Sequence, residues 1–373
     1  MDPIAHTFAG AALAAAGLRR RTPLATAALV LGANAPDIDA LSYVVAGSFE
    51  SLAFRRGWTH GVLALAVLPF LLTGLLLLWD RQVRRRRQPH AAPARAGPLL
   101  GLAALSVASH PLLDWLNNYG LRWLMPFDGR WFYGDALFII DPWVWLLLGG
   151  VLFLMHAQHA ASLAAWGALW LALSLAVFSG APLVSAPAQT LWLIGIGLLV
   201  AARMLGIAAP SREAMVERAT RVALGAIGIY AAAAVLSDIP ARRAVRAELA
   251  ERGIALVMQV MVAPVPANPF AGDVVAATTE AYYTGRWQWL SQPRFALDPE
   301  PIPRPQGSIY DAAARTRDAQ NFLIWSRFPY VEVETNAEGR HTVQFFDARY
   351  RGTGGIAGPT VRLDRNMRPL ASD

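Results

Sequence analysis

From Pro142 to Ala202 the chain carries no Asp, Glu, Lys or Arg, and this run restricts the possible folds more than any other feature. A membrane-spanning helix needs about 20 apolar residues, so the run is long enough for three passes. Gly61 to Leu78 is a second uncharged run, and Val222 to Ser237 is a shorter third. A soluble core has no need of such runs. The whole chain is 55% hydrophobic and only 16% charged, against about 25% charged in ordinary soluble domains. A multi-spanning membrane protein accounts for the deficit.

The net charge of +7 comes from arginine, because no lysine occurs. The arginines gather between the apolar runs, at 19–21, 81–97 and 203–221. Short basic loops mark the cytoplasmic side of a membrane protein. The high isoelectric point therefore reads as topology, and no nucleic-acid partner is expected. The absence of cysteine excludes disulfides and thiolate metal sites. The N-terminus does not read as a cleavable signal peptide, because its start is acidic and its arginines follow the apolar stretch.

Asp2-Pro3 reads as an N-cap with proline at the first helical position, opening a helix from Ile4 to Leu18. Further apolar segments run over Thr22–Ala35, Gly61–Trp79, Pro98–Asn118, 143–157, 162–178, 188–203 and 222–236, with a polar excursion from Asn34 to Phe54. About eight apolar helices follow, with both termini outside. From Asp238 the composition becomes that of a soluble domain. Arg242–Arg252 suits a helix, Ile254–Ala263 and Val274–Tyr283 suit strands, and Ile309–Trp325 suits a helix. Tyr330–Thr335 and Thr342–Phe346 flank Asn336-Ala337-Glu338-Gly339 as a hairpin. The expectation is a mainly α protein: a polytopic membrane domain over 1–237, then a small α+β extramembrane domain over 238–373, with lipids as its surroundings and a periplasmic tail whose protein partner the sequence does not name.

Ionisable groups near membrane depth are expensive and are functional candidates. His110 and Asp114, spaced i, i+4, lie on one helix face and can address one cation; the competing reading is a capping histidine and a solvated aspartate. Asp37 and Asp39 repel each other unless a cation or several donors compensate; they could also form a polar turn. His60 opens the Gly61 span, and His6 sits in the first turn of the first helix. If the arginine groups share one side, these six residues fall at the opposite face. Imidazole and carboxylate suit zinc, or manganese and iron with other preferences. Asp135 and Asp141 could close the site from above, although Asp141 before Pro142 reads better as an N-cap. Tryptophans 115, 123, 131, 143 and 145 fit an interfacial belt.

His6, Pro36-Asp37-Ile38-Asp39, Arg56-Gly57-Trp58-Thr59-His60, His110-Pro111-Leu112-Leu113-Asp114 and Pro126-Phe127 occur in an order that resembles the YdjM/YbcI family of bacterial inner-membrane proteins. The resemblance covers residues 1 to about 145, and Asn268-Pro269-Phe270 and Asp347-Ala348-Arg349-Tyr350 resemble the tail of the longer members. A more distant likeness is to the zinc-dependent phospholipase C and P1-nuclease group. These resemblances imply a helical, metal-dependent hydrolase acting on a phosphoester or phospholipid. They imply His6, Asp37, Asp39, His60, His110 and Asp114 as ligands of one or two divalent ions, zinc foremost. Asp37 and Asp39 would also serve as bridging group or base, and Arg56 as a phosphate clamp or a headgroup anchor. Two departures are visible: the chain opens Met-Asp-Pro where the secreted phospholipases use a tryptophan ligand, and Gly61 follows the Arg-Gly-x-Thr-His element where serine is common. A non-catalytic scaffold with a structural metal, and a metal transporter, are the alternatives.

Overall fold

A computed structural model of the chain describes residues 1–180, 184–206, 213–351 and 357–370. Two compact units emerge. The first comprises Met1–Ile38, Arg56–Leu236 and Val265–Pro269; the second comprises Asp39–Arg55, Ser237–Pro264 and Phe270–Asp373.

The helices are α1 (Pro3–Ala15), α2 (Ala25–Gly32), α3 (Ser42–Val45), α4 (Ser48–Phe54), α5 (Val62–Arg87) and α6 (Ala96–Trp115). Then come α7 (Pro142–His156), α8 (Ala160–Ser179), α9 (Ala186–Met204) and α10 (Glu213–Glu251). Among the described residues, five helices are long and apolar enough to cross a membrane: α5, α6, α8, α9 and most of α10. Of the about eight apolar helices expected, the remaining ones are shorter than a full span. At 1.5 Å per residue, the 13 residues of α1 reach about 20 Å and the eight of α2 about 12 Å, short of the ~30 Å hydrocarbon layer. α7 is likewise a shorter apolar helix.

Each short helix has a local cause. The Asp2 side chain accepts hydrogen bonds from the Ile4 and Ala5 amides at 3.0 and 3.1 Å, which starts α1 where the sequence indicates. Gly17 at φ 116° then ends it, in the left-handed region open to glycine. Gly10 lies so close to α2 that a Cβ there would meet the Leu29 carbonyl oxygen at 2.5 Å. Small residues at such crossings let helices approach without side chains between them.

The first unit has two chemically distinct ends. At one, Glu217 joins Arg20 to Arg221, and Arg221 Nε donates to the Ala16 carbonyl at 2.9 Å. Nearby, Asp80 pairs with Arg84 and accepts from the Ala94 amide at 3.0 Å, while the Arg95 amide donates to Thr22 at 2.8 Å. The arginine groups thus close one end of the bundle, as the positive-inside reading requires of segments sharing a side. The core between the ends is built on Trp145, Trp170 and Trp192, whose rings meet at 5.8–6.5 Å between centroids. Trp145 therefore belongs to the interior, not to an interfacial belt; its indole is held by the Asp2 carboxylate. Phe70, Leu71, Leu75, Leu171, Leu175, Leu198 and Ile229 are exposed, as lipid-facing side chains would be.

The second unit holds two antiparallel sheets. Strands β1 (Gln259–Val265), β2 (Asn268–Ala277), β3 (Ala281–Gln288) and β4 (Phe295–Leu297) lie in that order, with β5 (Ile302–Pro303) also on β3. β6 (Pro329–Thr335), β7 (His341–Asp347) and β8 (Thr360–Leu363) form the other. The β6–β7 hairpin is the one expected from sequence, with Tyr330 opposite Phe346. The single strand expected over Val274–Tyr283 is the end of β2 and the start of β3, with a turn at residues 278–280 between them. The Thr278 hydroxyl bonds the Ala281 carbonyl at 3.0 Å and reverses the chain there. The helix expected over Ile309–Trp325 is two, α11 (Ser308–Ala314) and α12 (Arg317–Trp325), broken at Thr316, whose extended backbone caps the second. The expected polar excursion after Asn34 contains α3 and α4, and α4 packs on α12 through Phe49 and Phe322 at 6.4 Å.

Asp347 and Arg349 form a buried pair in this unit. Asp347 Oδ2 accepts from Arg349 Nη2 at 2.9 Å and from Ser326 Oγ at 2.7 Å, and the guanidinium lies 4.6 Å over the Trp325 ring. Burial pushes the Asp347 carboxyl up, but Arg349 and the surrounding donors outweigh it and hold it below the ordinary carboxylate range. A group depressed on folding stabilises above its unfolded value and loses that contribution as pH falls through the folded one. Hydrogen exchange of the β6–β7 amides in the full-length protein should accordingly rise below about pH 4. Asp347→Asn should raise it already at neutral pH by roughly 3 kcal/mol, the order for a buried charge left without its partner. Protection unchanged in the variant would remove the pair from the list of what holds this unit.

Candidate metal centre

Three segments deliver the site. Asp37 lies just beyond α2, His60 one residue before the Gly61 cap of α5, and His110 and Asp114 in the last two turns of α6. Each helix end is placed by the close packing of α1, α2, α5 and α6. At Gly32, for example, an added Cβ would meet Ser106 Cβ of α6 at 2.9 Å.

One ligand atom from each of Asp37, His60, His110 and Asp114 falls within 4.8 Å of the others. His60 Nε2 is 3.1 Å from His110 Nε2, and the two are 3.2 and 3.4 Å from Asp114 Oδ2. Asp37 Oδ1 stands 3.9 and 3.8 Å from the same nitrogens. Ligand bonds of about 2.0–2.1 Å in a tetrahedron put neighbouring ligand atoms about 3.3 Å apart. The separations among His60, His110 and Asp114 match that spacing and Asp37 stands wider, so the group could hold a metal ion.

Protonation supports the fit. His110 Nδ1 lies 2.6 Å from the Ala33 carbonyl oxygen, and a carbonyl only accepts, so Nδ1 carries the proton. The Nε2 lone pair then points into the group, the arrangement metal-ligating histidines use. Thr59 Oγ1 sits 2.9 Å from His60 Nδ1 and orients the second ring. Asp114 Oδ2 is buried with no hydrogen-bond donor among the described residues. Buried acceptors are normally satisfied, and a cation between Oδ2 and the two lone pairs would satisfy it. Two carboxylates and two neutral imidazoles make a donor set of formal charge −2, which a divalent ion neutralises.

The other oxygen of Asp114 is fixed by the protein. Oδ1 faces the Met1 nitrogen, Arg56 Nη2 at 3.0 Å and His6 Nε2 at 3.2 Å. His6, expected as a ligand, is placed beside Asp114 and stacked on the His110 ring at 3.7 Å, outside the four-atom group. Arg56 is buried at φ 52° and donates further to Asn117 Oδ1 at 3.0 Å and to the Gly120 carbonyl at 3.3 Å. Its guanidinium also covers the Tyr119 ring at 4.4 Å. These contacts make Arg56 a holder of Asp114, whereas the sequence suggested a group facing phosphate or headgroups. Asp39 falls in the second unit, where Arg55 Nε binds it at 3.3 Å. Asp141 caps α7, accepting from the Trp143 and Val144 amides at 2.9 and 3.3 Å, and receives the Tyr230 hydroxyl at 2.9 Å. Asp135 is buried and does not join the donor group.

Sequence reasoning missed three supports. Asn117 receives Arg56 and also the Tyr119 and Gly120 amides at 2.9 and 3.3 Å; its position three residues after Asp114 was the available signal. Thr59 could have been read beside His60. The Ala33 carbonyl carries no side-chain signal at all.

No curated protein and no solved structure matches the chain. Residues 1–183 match the profile of the YdjM inner membrane protein family. This segment carries every member of the donor group, and over it the chain is similar to the YdjM inner membrane protein family.

Proposed function

We propose that the chain is a membrane-bound, metal-dependent hydrolase acting on a phosphoester, with a phospholipid-type substrate favoured. The carrying observation is the convergence of His60 Nε2, His110 Nε2, Asp114 Oδ2 and Asp37 Oδ1, with the His110 Nδ1 proton directed at the Ala33 carbonyl. Zinc suits this nitrogen–oxygen set best. A divalent ion bound there supplies a Lewis acid and a water whose pKa falls toward ~7. The chain does the positioning. Arg56, itself braced by Asn117, and His6 hold Asp114 Oδ1 so that Oδ2 stays turned to His60 and His110. Asp37, with the longest separations and a side chain 14% exposed, is the donor open to water and the one able to exchange its place with substrate or take a proton. Ile38 and Trp58, beside Asp37 and two residues before His60, are more than half exposed and support an apolar substrate portion.

A second reading has its own observation. Four protein donors can close a tetrahedral site, the pattern of structural zinc, whereas catalytic sites keep one position open. The site would then hold α2, α5 and α6 together in a non-catalytic scaffold.

The topology proposed with this function places the arginine end in the cytoplasm, in line with the positive-inside rule. The metal centre and the chain after Ser237 then lie outside the cytoplasmic membrane.

Metal content of the detergent-purified protein, measured by plasma mass spectrometry, should be near one divalent ion per chain and lost in folded His60→Ala and His110→Ala. Folded wild type that takes up no ion after reconstitution would end both readings. Asp37→Asn separates them: a hydrolase should keep its ion while turnover of phosphoester or phospholipid substrates falls about 100-fold, and a structural site should lose ion and stability together with no turnover to lose. A reporter fused after Asp373 should be active only outside the cytoplasm; cytoplasmic activity would reverse the orientation.

A further inference from the structure

The arginine end carries a feature that the metal centre does not use. Between α7, α8 and α9 lies a groove of about 510 Å³, walled by Phe153, Leu163, Trp170, Ile196, Val200 and Met204. All six are apolar, and two of the helices that supply them are long enough to cross a membrane. Gly167 lies on the groove, and a Cβ built there meets nothing within 4 Å, so the space beside it is open. From Leu163 to Trp170 the groove extends about 10 Å along α8, a depth within one leaflet.

Its polar end is Arg203. Arg203 Nε donates to the Ala157 carbonyl at 2.7 Å, which satisfies a carbonyl left over at the end of α7 and fixes the plane of the guanidinium. Its terminal nitrogens make no hydrogen bond to any described residue. Arg19 reaches Met155 Sδ, on α7, at 3.6 Å, and Arg20 and Arg221 share Glu217 at the same end. A long apolar slot in contact with the bilayer, ending in an oriented guanidinium among further arginines, matches one ligand chemistry: acyl chain below, anionic headgroup above. Zwitterionic lipid would fill the slot equally well but would gain less from the charge.

We infer that this groove is a binding site for an anionic phospholipid, separate from the metal centre and at the opposite end of the helical unit, with Phe153, Trp170 and Ile196 receiving an acyl chain and Arg203 the headgroup phosphate. A juxtamembrane arginine contributes affinity for anionic lipid of about fivefold.

The test is native mass spectrometry of delipidated full-length protein titrated with phosphatidylglycerol or phosphatidylethanolamine. Wild type should bind phosphatidylglycerol preferentially. Arg203→Gln should weaken phosphatidylglycerol binding about fivefold and leave phosphatidylethanolamine unchanged. Gly167→Leu, which places its side chain in open space, should weaken both lipids. Arg86→Gln removes the same charge from an exposed position away from the groove and should behave as wild type. All three variants should keep the metal content of wild type, so the outcome is independent of the hydrolase reading. Equal affinity for the two lipids in wild type, or phosphatidylglycerol binding unchanged in Arg203→Gln or Gly167→Leu, would overturn the assignment.

Discussion

A single carboxylate organises the first unit. Asp114 is fully buried on α6, and a buried charge is tolerated only when it is paired and hydrogen-bonded. Its two oxygens divide that requirement. Oδ1 is secured by Arg56, His6 and the Met1 nitrogen, which come from the loop before α5 and from the start of α1. Oδ2 is left to the two imidazoles, where a cation could satisfy it. The helix ends that reach Asp114 must therefore arrive together, and the small residues at Gly10 and Gly32 allow the close crossings that bring them there.

The same electrostatic cost sorts the rest of the helical unit. Charges avoid the apolar middle and collect at two ends with different chemistry. One end is an arginine cluster that needs only solvent, headgroups and a few acidic partners such as Glu217 and Asp80. The other is a largely buried set of histidines and aspartates whose satisfaction depends on close mutual geometry. In the second unit the comparable problem is solved by protein groups alone, since Asp347 has the Arg349 guanidinium and Ser326 within hydrogen-bond distance.

Much of the site could be read from residue type and position. His110 and Asp114 declare their shared face by spacing, and the arginine clusters, by fixing which helix ends lie on one side, bring Asp37 and His60 to them. Roles were harder to read than places. Arg56 sits within the Arg-Gly-Trp-Thr-His element, but only its burial and its three protein acceptors show that it steadies a ligand. Asp37 and Asp39 are two residues apart, yet a 3-10 helix separates their directions and sends Asp39 to Arg55. In the fold, composition identified the membrane runs and the β6–β7 turn, because both depend on local chemistry. Helix lengths at α1 and α2 depend on Gly17 and on packing across elements, and the β2–β3 turn depends on one threonine hydroxyl. Neither leaves a periodicity to find.

The shortness of α2 gives the Ala33 contact its meaning. The last carbonyls of any helix lack partners within it, and Ala33 stands at the C-cap of α2. Had α2 continued for another turn, that oxygen would accept an amide of its own helix and His110 would be released to protonate on either nitrogen. Where one helix stops thus decides which atom of a ring on another can give electrons away. Selection on this fold would accordingly act on a backbone stop as firmly as on the side chains around it, at a position that almost any residue type could occupy.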